Sequence, residues 1–385
     1  MDEMTAGSEA GADIAVVGGG IIGLTLAWQL GLRGLSVVVV EGGEVAGLTS
    51  RASAGMVTPL GYDDAEVVEV TEFGHFRMRS SLLWRGFAER LTDATGLDSG
   101  FRVPGCVLAA VGDRDASRIA RLKNVHDQLG IAAEVVDGPE IFELEPVLNR
   151  DVARAMWVPD EGCVDRDTIV PALREGIARR GGRIVLEKVS AVKWEGDKVA
   201  GIETCAGTTI RAATTVVAAG AWSMSLNGIP QELRVDLRTV KGQSVVLEVG
   251  SPTIKPRTVV RSYMNIVPKV GAAVIAAGTS EEGRGHDTRT TAGSIQDVLE
   301  RATRSIPSLA DARVLALAAG LRPFSPDGDP ILGPSAAPGL WWATGHSSYG
   351  VQSAPLTATL IADGILGDAE ALGQLKPFGI ERFRH

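Results

Sequence analysis

At 385 residues and 45% apolar content, the chain exceeds what one hydrophobic core usually organises, so two domains of a globular protein are expected. A net charge of −9 and a pI near 5.2 without any basic stripe argue against a nucleic-acid partner. No run of eighteen apolar residues marks a membrane span, and the opening MDEMTAGSEAGA lacks the basic and apolar regions of a secretory signal, so a cytoplasmic protein is expected.

The stretch DIAVVGGGIIGLTLAWQL, residues 13–30, sets three consecutive glycines between two apolar segments. DIAVV reads as a short β-branched strand, and residues 21–33 as a helix by their apolar spacing, with Gly34 as its C-terminal signal. LSVVVVEGG follows as a second buried strand, completing a βαβ unit. Gly18, Gly20 and Gly23 spell GxGxxG at the strand-to-helix junction, and Glu41 closes the next strand where a ribose-binding acid belongs. A helix N-terminus with no side chain in the way can hold a pyrophosphate on its unpaired N–H groups. The competing reading is a glycine-rich turn that only lets helix and sheet pack closely. A carboxylate at Glu41 suits ribose hydroxyls and repels a 2′-phosphate, which disfavours NADP against NAD or FAD.

Regular βα alternation stops soon after Glu41, unlike a plain NAD dehydrogenase, and GLTSRASAGMVTP (47–59) is a loop of small and hydroxyl residues. Cys106, Cys163 and Cys205 are widely spaced, without CxxC or any metal-ligand grouping, and read as buried free thiols. Residues 73–95, 116–129 and 166–180 have helical spacing. RIVL and VSAVKWEG read as strands, and GTTIRAATTVVAAGAW as a hairpin ending in a buried strand, with Gly220 and Trp222 at its exit. VVRSYMNIVPKVGAAVIAAGTS shows a two-stranded pattern around KVG, the mark of an antiparallel sheet in another domain. Arg322 follows the strand-like VLALAAG, where an arginine is costly unless an anion meets it. Its planar fork suits a carboxylate, and a salt bridge to Asp327 or Asp329 is the alternative. WWATGHSSYGVQSAPLTATLIADGIL is a strand, a turn and a long apolar helix. With no repeats and no low-complexity linker, the domains are expected to interleave.

GGGIIG with Glu41, TSRASAGM, VVAAGAWS, VKGQ, NIVP, AGLRPFSPDGDPILG and ATGHSSYGVQSAP occur in the order found in the glycine oxidase and D-amino-acid oxidase family, which the chain resembles over nearly its whole length. The resemblance implies an α/β, Rossmann-like FAD-binding domain made of 10–90, 150–222 and 321–385. Residues 91–149 and 223–320 would form an α+β substrate domain with a mixed or antiparallel sheet. It also implies oxidation of a carbon–nitrogen bond to an imine, which water hydrolyses. Gly18, Gly20, Ile22 and Gly23 would meet the pyrophosphate and Glu41 and Gly42 the adenosine ribose. Thr49, Ser50, Ala54, Gly55 and Met56 would line pyrophosphate and flavin, Val189 would meet adenine through its backbone, and Gly220 and Trp222 would border the cofactor.

The turn His346, Ser347, Ser348, Tyr349, Gly350, Val351 resembles the family's contact with the flavin pyrimidine edge, where helix-dipole donors would stabilise the reduced ring. His346 could instead bond neighbouring backbone. Arg322 matches the family arginine that pairs with the substrate carboxylate; Arg51 and Arg261 are further candidates for that contact and read first as surface or loop charges.

Asn265 stands where glycine oxidase has a tyrosine, and Tyr263, two residues earlier on the expected strand, could supply a displaced hydroxyl or only cap the sheet. Ser280 replaces a methionine and Ser348 an arginine, so a carboxylate-bearing amino or imino acid larger or more polar than glycine is expected. The expected chemistry is hydride transfer from the substrate Cα to N5 of noncovalent FAD, without a dedicated protein base. O2 is the expected acceptor. A quinone- or partner-coupled dehydrogenase, a hydroxy-acid enzyme, an NAD dehydrogenase and a noncatalytic nucleotide-binding subunit are the alternatives, and a homo-oligomer is left open.

Overall fold

The computed structural model describes residues 10–60, 70–110, 113–251 and 254–384. Two eight-stranded sheets dominate it. In the first, Arg183–Val185, Val37–Val40, Ala10–Val17, Thr209–Val217 and Leu340–Thr344 run parallel in that order. Ile331–Pro334 adds antiparallel to Leu340–Thr344, while Val189–Glu195 and Lys198–Thr204 branch as an antiparallel pair from the first half of Thr209–Val217. Strands covered on both faces need apolar side chains on both. The four consecutive valines of Val37–Val40, all buried, meet that requirement.

The helix Ile21–Leu32 is buried from Ile21 through Gly31 because it lies against the sheet and beneath the helices Gly350–Ile365 and Arg166–Arg179. Helix Glu72–Thr95, N-capped by Thr71 and ended by the left-handed Gly96, packs over the same layer. Its Phe87 meets Trp28 edge-on at 4.9 Å, a geometry that contributes about 0.5–1.5 kcal/mol beyond area burial.

The second sheet runs Arg313–Phe324, Arg238–Glu248, Ala273–Ala277, Asn265–Pro268, Val259–Arg261, Cys106–Ala109, Arg154–Val158, Glu134–Asp137. Its pairs are antiparallel except Val259–Arg261 with Cys106–Ala109. One face carries Val245, Leu247, Ile266 and Ala276 against helix Ala292–Ser305. The other carries Leu108, Met156, Val267 and Ile275 against Ala54 and Met56, so it is this face that meets the loop 47–59. Met56–Val57, Gly162–Val164 and Phe101–Arg102 form a third, three-stranded sheet.

Four expectations are corrected. Residues 207–222 are not a hairpin but one nine-residue strand, Thr209–Val217, whose antiparallel partner is the preceding Lys198–Thr204. Residues 259–280 hold three strands, because the chain bends at 262–264 and splits the expected first strand into Val259–Arg261 and Asn265–Pro268. Strand Arg154–Val158, expected with the nucleotide-binding part, pairs instead with Glu134–Asp137 and Cys106–Ala109, and Arg313–Phe324 crosses the expected boundary at 321 as a single strand. Cys106 and Cys163 are buried, but Cys205 is exposed.

Candidate active site

The glycine turn is a backbone cradle. Gly18 has φ +108°, and a Cβ there would sit 2.5 Å from the Ala218 carbonyl oxygen; at Gly23 it would sit 1.9 Å from that of Gly18. Side chains are sterically excluded at both, so strand and helix N-terminus close on bare main chain. The first N–H groups of a helix have no intrahelical acceptor. The Ser50 hydroxyl accepts from Ile21 at 3.0 Å, and the donors of Ile22 and Gly23 are the next in that turn. The Glu41 carboxylate accepts from the Gly19 N–H at 2.7 Å and from the Gly43 N–H at 2.9 Å, which fixes it at the mouth of the turn. Gly42 packs on Lys188 Cα and so brings Val189 beside the Glu41 segment.

Ser50 and Gly55 line a narrow cleft with Ile21, Val351, Val164 and Arg166. Arg166 had no signal in the sequence. It donates to the Val45 carbonyl and to Glu44 and Asp167, tying the start of helix Arg166–Arg179 to the loop after Glu41.

Three segments meet at three consecutive residues of strand Arg313–Phe324. The Thr49 hydroxyl donates to the Leu321 carbonyl at 2.9 Å and accepts from the Leu321 N–H at 3.1 Å. The Arg322 guanidinium donates through Nη1 to the Thr279 carbonyl at 2.9 Å. The Ser347 N–H donates to the Pro323 carbonyl at 2.9 Å, with Ser347 itself in the left-handed region at φ +48°. The loop 47–59, the turn 346–351 and the second sheet are thereby fixed around Arg322.

Arg322 forms no salt bridge among the described residues, and burial alone pulls its pKa below the usual arginine value. The alternative partner Asp327 is held by Arg382 at 2.7 Å. A guanidinium desolvated in this way, bonded only to Thr279 among the described residues, can receive an anion.

Asn265 is paired with Ala277 and Arg261, and its amide lies beside Gly278, next to the Thr279 that holds Arg322. Tyr263 is not its neighbour on a strand. It sits in the bend 262–264 with the Arg304 guanidinium 4.0 Å over its ring, on the side of helix Ala292–Ser305. Arg261 is no surface charge: it is buried and lies 3.7 Å from the equally buried Glu161, whose carboxyl burial pushes up and Arg261 draws down. Arg51 is exposed and paired with Glu44 at 2.9 Å.

His346 is buried and bonds the Thr357 hydroxyl at 3.1 Å through Nε2, with burial pushing its pKa down to about 3, so the ring is neutral at ordinary pH. Ser348 is exposed, and Tyr349 turns toward helix Glu72–Thr95, where Arg77 lies 4.0 Å over its ring. Gly350 and Val351 open helix Gly350–Ile365. Gly220, whose carbonyl accepts from Thr344 at 3.0 Å, begins a short 3-10 turn in which the Trp222 ring lies 5.4 Å from that of His286.

Comparison with known proteins gives this arrangement a family. The family described as FAD dependent oxidoreductase matches residues 13–364. The chain belongs to that family. It is 29% identical to the glycine oxidase of Geobacillus kaustophilus over 96% of this chain and 97% of that one. It is 30% identical to the glycine oxidase of Pseudomonas aeruginosa over 92% of this chain and 94% of that one. A crystal structure of the Geobacillus kaustophilus enzyme superposes with a TM-score of 0.87, covering 98% of this chain and 99% of the other.

FAD is thus the cofactor, and the residues present fit it. The turn that a Cβ at Gly18 or Gly23 would fill, the N–H groups of Ile22 and Gly23, which have no acceptor among the described residues, and the fixed Glu41 carboxylate match a diphosphate with its adjoining ribose. In this flavoenzyme, residues 321–323 tie the cofactor-side loop directly to the strand bearing Arg322.

Proposed function

We propose that the protein oxidises the C–N bond of a carboxylate-bearing amine, an amino or imino acid, to an imine, with noncovalent FAD as the immediate acceptor and O2 as the final one. The observation that carries this reading is the half-buried Arg322: it lacks an acidic partner among the described residues, and its two strand neighbours, Leu321 and Pro323, are bonded to Thr49 and Ser347. The relatives named glycine oxidase support the amine substrate and the oxidase acceptor.

Arg322 holds the carboxylate and thereby orients Cα, while Asn265 beside Gly278 offers an amide donor or acceptor to the rest of the substrate. The bound flavin supplies a two-electron acceptor for the Cα hydride. The amine reacts deprotonated, so its lone pair forms the C=N bond as the Cα–H bond breaks, and water then adds to the imine to release ammonia or an amine. His346, neutral and bonded to Thr357, is not required as a base. Positioning and exclusion of water provide most of the rate. Asn265, Ser280 and Ser348 favour a substrate larger or more polar than glycine. The same reading takes the protein as cytoplasmic; no helix of the described residues is long and apolar enough to cross a membrane.

The decisive experiment is Arg322→Leu. Loss of a charge-assisted carboxylate contact is expected to lower kcat/KM by 10²-fold or more, about 3 kcal/mol, with flavin content unchanged. Near-normal kcat/KM refutes the assignment. A panel of amino and imino acids in a peroxide-coupled assay tests the substrate class and the acceptor together, and a highest kcat/KM for glycine contradicts the size argument.

A further inference from the structure

Arg322 reaches its Thr279 carbonyl across the neighbouring strand Arg238–Glu248, where Val240 is its directly paired residue. The reach is open only because position 242 is glycine. A Cβ at Gly242 would lie 2.4 Å from Nη2 and 2.6 Å from Cζ of Arg322, well inside van der Waals contact. No positive φ is involved, so the requirement is space for the guanidinium and not backbone freedom.

The far end of the reach is fixed by the main chain of the same strand. The Thr279 hydroxyl accepts the Gln243 N–H at 2.6 Å. The buried Gln243 side chain is held at both ends: Nε2 donates to Glu281 Oε1 at 2.7 Å and to Thr291 Oγ1 at 3.0 Å, and Oε1 accepts from the Thr291 N–H at 2.8 Å. Lys241 and Glu281 exchange both backbone bonds, at 2.9 and 2.8 Å. Side chains alternate across a strand. Gly242 therefore forms a floor under Arg322, the main chain of Lys241 and Gln243 anchors the segment that carries Thr279, and the Gln243 side chain, facing away, joins Glu281 to Thr291.

We propose that Gly242 and Thr279 are positioning residues for the reaction: together they set where Arg322 presents its guanidinium edge, and Gln243 latches Thr279 from behind. This rests on the reading of Arg322 as the carboxylate anchor. With one Nη1 hydrogen committed to Thr279, the remaining donors keep a fixed plane for a two-bond carboxylate contact, which a guanidinium lifted by one methyl group would lose.

The test uses the FAD-loaded enzyme titrated with acetate, read by the perturbation of flavin absorbance, alongside kcat and KM for an amino acid. Gly242→Ala is expected to bind acetate at least tenfold more weakly and to raise KM more than it lowers kcat, with flavin content unchanged. Thr279→Val, which removes the acceptor for Gln243, is expected to shift in the same direction, and Thr279→Ser to restore wild-type binding. Gly250→Ala is the control, since a Cβ there meets nothing within 4 Å. If Gly242→Ala and Thr279→Val bind acetate like the wild type while Arg322→Leu has lost it, the positioning role is refuted and the anchor stands. If Arg322→Leu itself binds acetate normally, the anchor is refuted and the positioning role with it. Should Gly242→Ala not accumulate as holoenzyme, the Thr279 pair decides alone.

Discussion

His346→Gln should remove a specific part of the acid sensitivity of the folded protein. The ring is buried, its Nε2 on the Thr357 hydroxyl, and burial holds its pKa at about 3 against an ordinary value of 6.5. A depressed folded pKa means that the unfolded chain takes up the proton first, so stability is full above pH 6.5 and is lost as pH falls toward 3. At pH 5 the unfolded ring is protonated and the folded one is not, a loss of about 1.5 × 1.36, or about 2 kcal/mol, relative to pH 8. With an unfolding entropy of about 2.1 cal/mol/K per residue, a chain of this length loses about 2–3 °C of Tm for that amount. The glutamine amide can still donate to Thr357 Oγ1 but does not titrate. His126, also pulled down by burial, is common to both proteins and cancels in the difference. Thermal unfolding of wild type and His346→Gln at saturating FAD between pH 8 and pH 5 is therefore expected to show a Tm gap that closes by about 2–3 °C as pH falls. Parallel curves for the two proteins would refute the burial argument.

Gly23→Ala drives a methyl group to 1.9 Å from the Gly18 carbonyl oxygen; overpacking of this kind costs about 1–3 kcal/mol or more, and the purified protein should carry little flavin, read from the ratio of visible to ultraviolet absorbance. Arg261→Met leaves Glu161 buried without its counter-charge, expected to cost about 3–5 kcal/mol near neutral pH. Because a carboxyl whose folded pKa is raised is stabilised by protonation, Tm of that variant should recover as pH is lowered from 8 toward 5, and a Tm equal to wild type at pH 8 would contradict the pairing. Thr49→Val removes both bonds to Leu321; leaving that buried backbone N–H without its partner is expected to cost about 1–3 kcal/mol, seen as a lower Tm.

Much of the architecture was legible because strong local signals agreed with the tertiary packing. The βαβ unit declares itself in four consecutive valines and a glycine turn, and the helix at 350–365 in its apolar spacing. Where local signals were weak, the reading slipped. Nothing in SYM says that residues 262–264 bend, since all three tolerate a strand; the bend follows from pairing with Ala273–Ala277 on one side and Cys106–Ala109 on the other. Tyr263 then turns to Arg304 instead of standing beside Asn265. Strand Arg154–Val158 joined the second sheet for a similar reason: it pairs with Glu134–Asp137 on one side and with the more distant Cys106–Ala109 on the other, and composition carries no trace of either.

The site was legible to the extent that single residues carry its chemistry and illegible where contacts between segments do. An arginine after an apolar strand could be singled out because its burial is expensive for any residue of that kind. That its one bond among the described residues goes to a carbonyl on the next segment but one, that a glycine on the intervening strand clears its path, and that the main-chain N–H of the next residue holds the threonine bearing that carbonyl, are relations among positions 322, 279, 242 and 243. VKGQ looked like one motif among several; its glycine and glutamine act on opposite faces of one strand, and the two-residue period that separates them shows its purpose only once Arg322 is laid across it. Arg261 illustrates the reverse error. Read alone it is a loop charge, yet Glu161, a hundred residues away, makes its burial tolerable, so the sign of its effect on stability was set by a partner that no local pattern could supply.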